Sequence, residues 1–164
     1  MEKDEFEKYI ERYQNDMFRF AKSIIGNSVD GEDAVQEAVI KAYQKVDNLR
    51  SKDKFKAWIF RILSHECYKI LNKRNRQELT ETGEIPEQVV NETREESGVW
   101  EQLEQIPKKY REVMILYYGD EFSVWEIARI IGIPVGTVKS RLSRGRKELR
   151  RRLEERGCKY ARQV

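Results

Sequence analysis

The chain has 164 residues, of which 37% are charged and 39% hydrophobic, and carries a net charge of +3. Its longest apolar run, Val113 to Tyr118, falls far short of the roughly 18 residues a membrane span needs. The acidic start Met1-Glu2-Lys3-Asp4-Glu5-Phe6 lacks the layout of a secretory signal, and Cys67 and Cys158 are too few for a disulfide framework, so a cytoplasmic protein without membrane insertion is expected.

From Phe6 to Ile25, the residues Phe6, Ile10, Tyr13, Met17, Phe20, Ala21 and Ile24 recur at three- and four-residue steps, predicting one long helix stopped by Gly26-Asn27-Ser28. A second helix is expected to start at Asp30, with Glu32 and Asp33 in its electropositive first turn and Val35, Ala38, Val39, Ala42 and Val46 inward. A polar loop from Asp47 to Asp53 leads to a third helix with Phe55, Trp58, Ile59, Ile62, Leu63 and Ile70 inward. These three helices form a first domain, residues 1–76. Between 77 and 98 the periodicity fades, and seven Glu against one Arg read as an acidic, extended linker.

A second domain, 99–164, opens with Trp100, Leu103 and Ile106, and Pro107 suits the first turn of a helix ending near Gly119. Ser123-Val124-Trp125-Glu126 has capping-box spacing, so a helix should start there, with Ile127, Ala128 and Ile131 inward. Gly132-Ile133-Pro134 breaks it, and a long helix follows from about Val135 to Arg156. Helix, short glycine-containing turn and second helix make a helix-turn-helix, so the fold class is all-α with two small helical domains.

On the last helix Val138, Leu142, Gly145, Leu149 and Leu153 share one face. Ser140, Ser143, Arg144, Lys147 and Arg151 share the other, flanked by Lys139, Arg141, Arg146 and Arg150. An exposed cationic helix with short hydroxyls suits a DNA major groove, where Arg can bind guanine bidentately and flanking cations hold phosphates. The net charge conceals a segregation: 136–164 carries 11 Lys/Arg against three Glu, while 77–98 has a net charge of −6. Different stretches should therefore meet different partners.

The stretch from Glu126-Ile127-Ala128 through Gly132-Ile133-Pro134-Val135-Gly136-Thr137-Val138-Lys139-Ser140-Arg141-Leu142-Ser143-Arg144-Gly145-Arg146 closely resembles the C-terminal domain of bacterial sigma factors of the extracytoplasmic-function (ECF) type. Asp33-Ala34-Val35-Gln36-Glu37 resembles the family's polymerase-binding helix, and Phe55-Lys56-Ala57-Trp58-Ile59-Phe60-Arg61-Ile62 its promoter-melting helix. The resemblance spans nearly the whole chain. It implies a transcription initiation factor that binds core RNA polymerase, directs it to promoters and helps to melt them.

The resemblance also implies site residues. Ser140, Ser143 and Arg144 would meet base edges of the −35 element, with Lys139, Arg141 and Lys147 on phosphates. Asp30, Glu32, Asp33, Gln36 and Glu37 would dock on the clamp coiled coil of the largest polymerase subunit. Leu49, Arg50, Ser51, Phe55, Arg61, His65, Lys69, Lys73 and Arg74 would surround the single-stranded −10 element, where an unstacked base needs an aromatic or apolar pocket beside cations. Trp58 is expected to support this loop rather than touch DNA. The family commonly has Asn at His65 and often Asp at Lys69, which puts the −10 preference of this chain in question. The linker would thread the polymerase cleft and RNA exit channel, and an anti-sigma factor would be a further partner.

His65, Glu66 and Cys67 are consecutive on a helix and point about 100° apart, so they cannot converge on one metal ion. With one histidine and no phosphate-binding glycine loop, the chain is expected to be no enzyme, with no cofactor and no small-molecule substrate. Two other readings stay open on the residues alone. One is a stand-alone helix-turn-helix regulator that does not recruit polymerase; the other is an interaction module that retains a degenerate DNA helix.

Overall fold

The structure, a computed structural model, describes residues 1–81, the last three as backbone only, and 98–157. The acidic stretch 82–97 and Cys158 lie outside the described residues. Every regular element among the described residues is helical, and the chain divides into two compact units, Met1–Val90 and Asn91–Val164.

The N-terminal unit holds α1 (Lys3–Ile25), α2 (Ser28–Lys45) and α3 (Phe55–Glu81), with single 3-10 turns at Val46–Asn48 and Lys52–Lys54 in the α2–α3 connection. Gly26 ends α1 with φ +92°, the left-handed conformation that glycine adopts without a Cβ clash. The second helix starts at Ser28, two residues earlier than expected, because Asn27 is its cap: the Asn27 Oδ1 accepts from the Asp30 N–H at 2.8 Å. Its buried residues are small, Gly31, Ala34, Ala38 and Ala42, whereas Val35 and Val39 are half-buried and Val46 falls outside the helix. Small residues let α2 lie close to both neighbours: a Cβ on Gly31 would stand 3.3 Å from the Lys22 backbone nitrogen.

The core joins Phe6, Met17, Phe20 and Ile24 of α1 to Phe55, Ile59, Phe60, Leu63 and Cys67 of α3. Burying five such side chains contributes on the order of 10 kcal/mol, before the entropy of ordering them. Phe60 and Cys67 are inward where sequence periodicity favoured Trp58 and Ile70, which are half-buried. The third helix also runs five residues past the expected boundary at 76.

In the C-terminal unit, α4 (Gly98–Glu104) and α5 (Lys108–Met114) are followed by a π-helical turn, Ile115–Gly119, then α6 (Val124–Ile131) and α7 (Val135–Glu155). Pro107 caps α5 from just outside, one position earlier than expected; its carbonyl accepts from Tyr110 and Arg111. The capping box of α6 forms in both directions: Ser123 Oγ accepts from the Glu126 N–H, and the Glu126 carboxylate from the Ser123 N–H at 2.8 Å. Its inward pair is Ile127 and Ile130, with Ile131 only half-buried. Along α7, Val138, Leu142, Gly145, Leu149 and Leu153 are all buried, as the periodicity predicts.

Candidate nucleic-acid and polymerase interfaces

The turn between α6 and α7 is made by Gly132 at φ +71°, whose N–H and that of Ile133 both bond to the Ala128 carbonyl. Pro134 then caps α7 and accepts from Thr137 and Val138. The two helices therefore meet through a fixed corner that turns the first turns of α7 outward. Approach to α5 is set by Gly145, where a Cβ would lie 2.5 Å from Met114 Sδ and 3.3 Å from Tyr110 Cβ. No side chain fits there without repacking.

On the outer side of α7, Lys139, Ser140, Arg144 and Lys147 are exposed and Ser143 is half-buried. Ser140 Oγ donates to the Thr137 carbonyl at 3.1 Å and keeps its lone pairs outward. Arg144 bonds to the Tyr110 hydroxyl, which holds that phenol below its ordinary value, with Lys109 adding to the effect. Lys139 and Lys147 make no ion pair among the described residues. Arg141 differs from expectation: half-buried, it lies 3.7 Å from the buried Glu112 carboxylate and is partly engaged inside the domain. The last turns of α7 carry ion pairs within the helix. Arg151 sits 2.6 Å from both Glu148 and Glu155, and Arg152 sits 3.1 Å from Glu148. The exposed α7 cations without an ion pair among the described residues thus lie between Lys139 and Lys147, ahead of the self-paired Arg151 and Arg152.

In the N-terminal unit, Glu32, Asp33 and Gln36 stand exposed on α2, and Glu37 lies 3.5 Å from Lys41. Asp30 is engaged elsewhere. It bonds to its cap residue Asn27, which holds its carboxyl below the ordinary range, and the Arg74 guanidinium beside it adds to this. Arg74 also donates to the Ile25 carbonyl at 3.1 Å, pinning α3 to the α1–α2 corner. Asp30 and Arg74, each about one-third exposed, are thus engaged with each other within the N-terminal unit. The outer face of α2 also carries Val29, Ile40 and Tyr43, all more than half exposed, which sequence reasoning missed. Their steps from Gln36 of seven, four and seven residues put them on one helical stripe with it, the signal that could have found them.

Around the α2–α3 loop, Arg50 is exposed, Leu49 is half-buried, and Ser51 is half-buried with its hydroxyl on Asp53. Arg61, His65, Lys69 and Lys73 form an exposed row on α3. Phe55 is fully buried beneath the loop, so it is corrected from a contact residue to part of the floor. Trp58 leans on Phe55, with ring centres 5.8 Å apart. Beside His65, the buried Glu66 carboxylate is 2.6 Å from Lys41 of α2, a buried charge that sequence reasoning did not anticipate. Burial raises the Glu66 carboxyl, but the bonds from Lys41 and His65 outweigh it and hold the group below its usual range.

Two family models match in order along the chain: Sigma-70 region 2 over residues 9–77 and Sigma-70, region 4 over 98–149. The chain is 30% identical over 171 residues to the ECF RNA polymerase sigma factor SigW of Bacillus subtilis, spanning 94% of this chain and 91% of that one. The chain belongs to the ECF sigma factors. This sigma factor is also 30% identical over 140 residues to the RNA polymerase sigma factor SigV of B. subtilis, covering 84% of each. Among solved structures, the sigma factor RpoE of Bartonella quintana, in complex with the anti-sigma factor NepR, superposes with a TM-score of 0.76 at 29% identity, over 92% of this sigma factor and 97% of that chain. CnrH, in complex with the cytosolic domain of CnrY, shares the fold with a TM-score of 0.67 at 23% identity. Among the described residues, no helix of this sigma factor is long and apolar enough to cross a membrane.

Proposed function

We propose that this sigma factor recruits core RNA polymerase to promoters in the cytoplasm, reading the −35 element with α7 and opening the −10 element with α3 and the loop before it. The observation that carries the reading is the pairing of two different candidate interfaces on one chain. One is a capped helix-turn-helix whose second helix presents outward cations from Lys139 to Lys147. The other is a cationic row on α3, with an acidic and apolar face on neighbouring α2. A stand-alone regulator would need only the first.

Lys139 and Lys147 serve as phosphate contacts, while Ser140, Ser143 and Arg144 lie where base edges are reached. Arg50, Arg61, His65, Lys69 and Lys73 track the unpaired strand, with Leu49 and Ser51 at the loop that would take an extruded base. Glu32, Asp33, Gln36 and Glu37, extended by Val29, Ile40 and Tyr43, dock on the polymerase clamp. The factor contributes recognition and no bond-making group, and an anti-sigma factor is its natural antagonist. Run-off transcription on genomic fragments with core polymerase tests this. Promoter-specific initiation that depends on the added chain is expected, and no stimulation on any fragment would overturn it.

A further inference from the structure

Where the α2–α3 loop meets α1, the aromatic residues do more than fill space. Tyr9 stacks on Phe55 at 4.7 Å and 26°, Tyr13 lies nearly parallel to Phe55 at 6.4 Å, and the two tyrosine rings are within 21° of coplanar orientation. Phe55 is fully buried, whereas both tyrosines are half-exposed, and neither hydroxyl has a hydrogen-bond partner among the described residues. Buried tyrosines usually find a partner for the hydroxyl, so these keep theirs toward water. Two cations lie over the Tyr13 ring: the Arg12 guanidinium is 5.4 Å and the Lys56 ammonium 5.5 Å from its centre, and Lys56 is also 5.9 Å from the Phe60 ring centre. Lys52, on the loop itself, binds Glu5 at 2.7 Å and lies close enough to Tyr9 for the phenol to influence its charge. Glu5 thus occupies the loop cation, leaving Arg12 and Lys56 as the cations facing the rings.

A parallel, half-exposed aromatic pair accompanied by cations is the arrangement on which unpaired bases stack. We propose that Tyr9 and Tyr13 form a stacking shelf for an unpaired base of promoter DNA, continuous through Phe55 with the loop at 49–54, and that Arg12 and Lys56, exchanging their contacts with the Tyr13 ring, bind the base and its phosphates. Phe55 is the shared floor: its ring carries the tyrosines and Trp58, and its backbone ends the loop. This inference rests on the promoter-opening function and extends the strand's path from α3 onto α1. The occupant is nucleic acid rather than protein because aromatic faces and cations are paired here, unlike the acidic and apolar face of α2.

The test uses holoenzyme reconstituted with the full chain and a promoter it transcribes, presented as a fork-junction probe with an unpaired −10 strand and as a fully duplex −35 probe. Tyr13→Leu keeps apolar bulk and removes the ring, Tyr13→Trp keeps a ring, and Arg12→Gln removes a cation from an exposed site. Tyr13→Leu should weaken the fork-junction complex by about tenfold. Arg12→Gln should weaken it by less, Tyr13→Trp should hold it, and duplex binding and core affinity should not change. Unchanged fork-junction binding by both Tyr13→Leu and Arg12→Gln would overturn the shelf while wild-type transcription still upholds the initiation reading. An equal loss on the duplex probe, or a loss of core affinity, would overturn it in favour of a role in folding or polymerase docking.

Discussion

Replacing Lys41 by Met leaves the Glu66 carboxylate, 4% exposed, without the ammonium that lies 2.6 Å away. Stranding one partner of a buried pair costs about 3–5 kcal/mol, and the 26% exposure of Lys41 moves the expected loss to about 2–3 kcal/mol. For a domain of this size that lowers the melting temperature by on the order of 10 °C. The pH dependence identifies the cause. In the wild type, Glu66 lies below its ordinary value of 4.5, so its contribution is fully present above that pH and is lost as pH falls through the lower folded value. In Lys41→Met, burial dominates and the carboxyl rises above 4.5, so the penalty is full at neutral pH and is relieved by acid. The stability gap between the two proteins should therefore be widest near pH 7 and narrow toward pH 4. Urea unfolding of the full chain, followed by Trp58 fluorescence in a Trp100→Phe/Trp125→Phe background, measures it. Lys41→Met/Glu66→Leu should recover most of the loss. A gap that is independent of pH, or below about 0.5 kcal/mol, would refute the reasoning.

In Gly145→Leu, a side chain would start 2.5 Å from Met114 Sδ; a loss of about 2 kcal/mol, net of the better helix propensity, should appear in the urea midpoint of the C-terminal unit. Ser123→Ala removes the α6 cap and should cost about 1 kcal/mol in the same measurement. Lys139→Gln or Lys147→Gln should reduce the salt slope of duplex binding by about one, as read by anisotropy, whereas Arg151→Gln should barely change it because two glutamates already hold that arginine.

The helix-turn-helix was legible in sequence because its signals are local. A capping box four residues long and an apolar face repeating every three or four residues survive without tertiary context. The self-pairing of Arg151 and Arg152 was legible too, from Glu148 and Glu155 at helical steps, although charge counting alone passes over it. Three features were not. Asp30 and Arg74 are 44 residues apart, and only folding shows that each neutralises the other. Glu66 looks like a surface residue until α2 brings Lys41 over it. The π-helical turn, in which the Asp120 N–H bonds to the Ile115 carbonyl and a residue is added, has no mark in the apolar run before Gly119. For the second helix, the periodicity places Val35, Val39 and Val46 inward beside Ala38 and Ala42 and passes over Gly31 and Ala34, but close approach of three helices selects for small size.

The uneven pairing along α7 has a consequence for the moments before contact. A rod of uniform positive charge would be drawn to a duplex in any orientation, and most encounters would need to be undone. Here residues 135–144 carry three cations and no carboxylate, whereas 145–155 set five cations against three carboxylates, so the uncompensated charge leans toward the leading end. The encounter complex is then biased toward arriving with the first turns of α7 foremost, the orientation in which the groove can be entered, and fewer collisions are spent on reorientation.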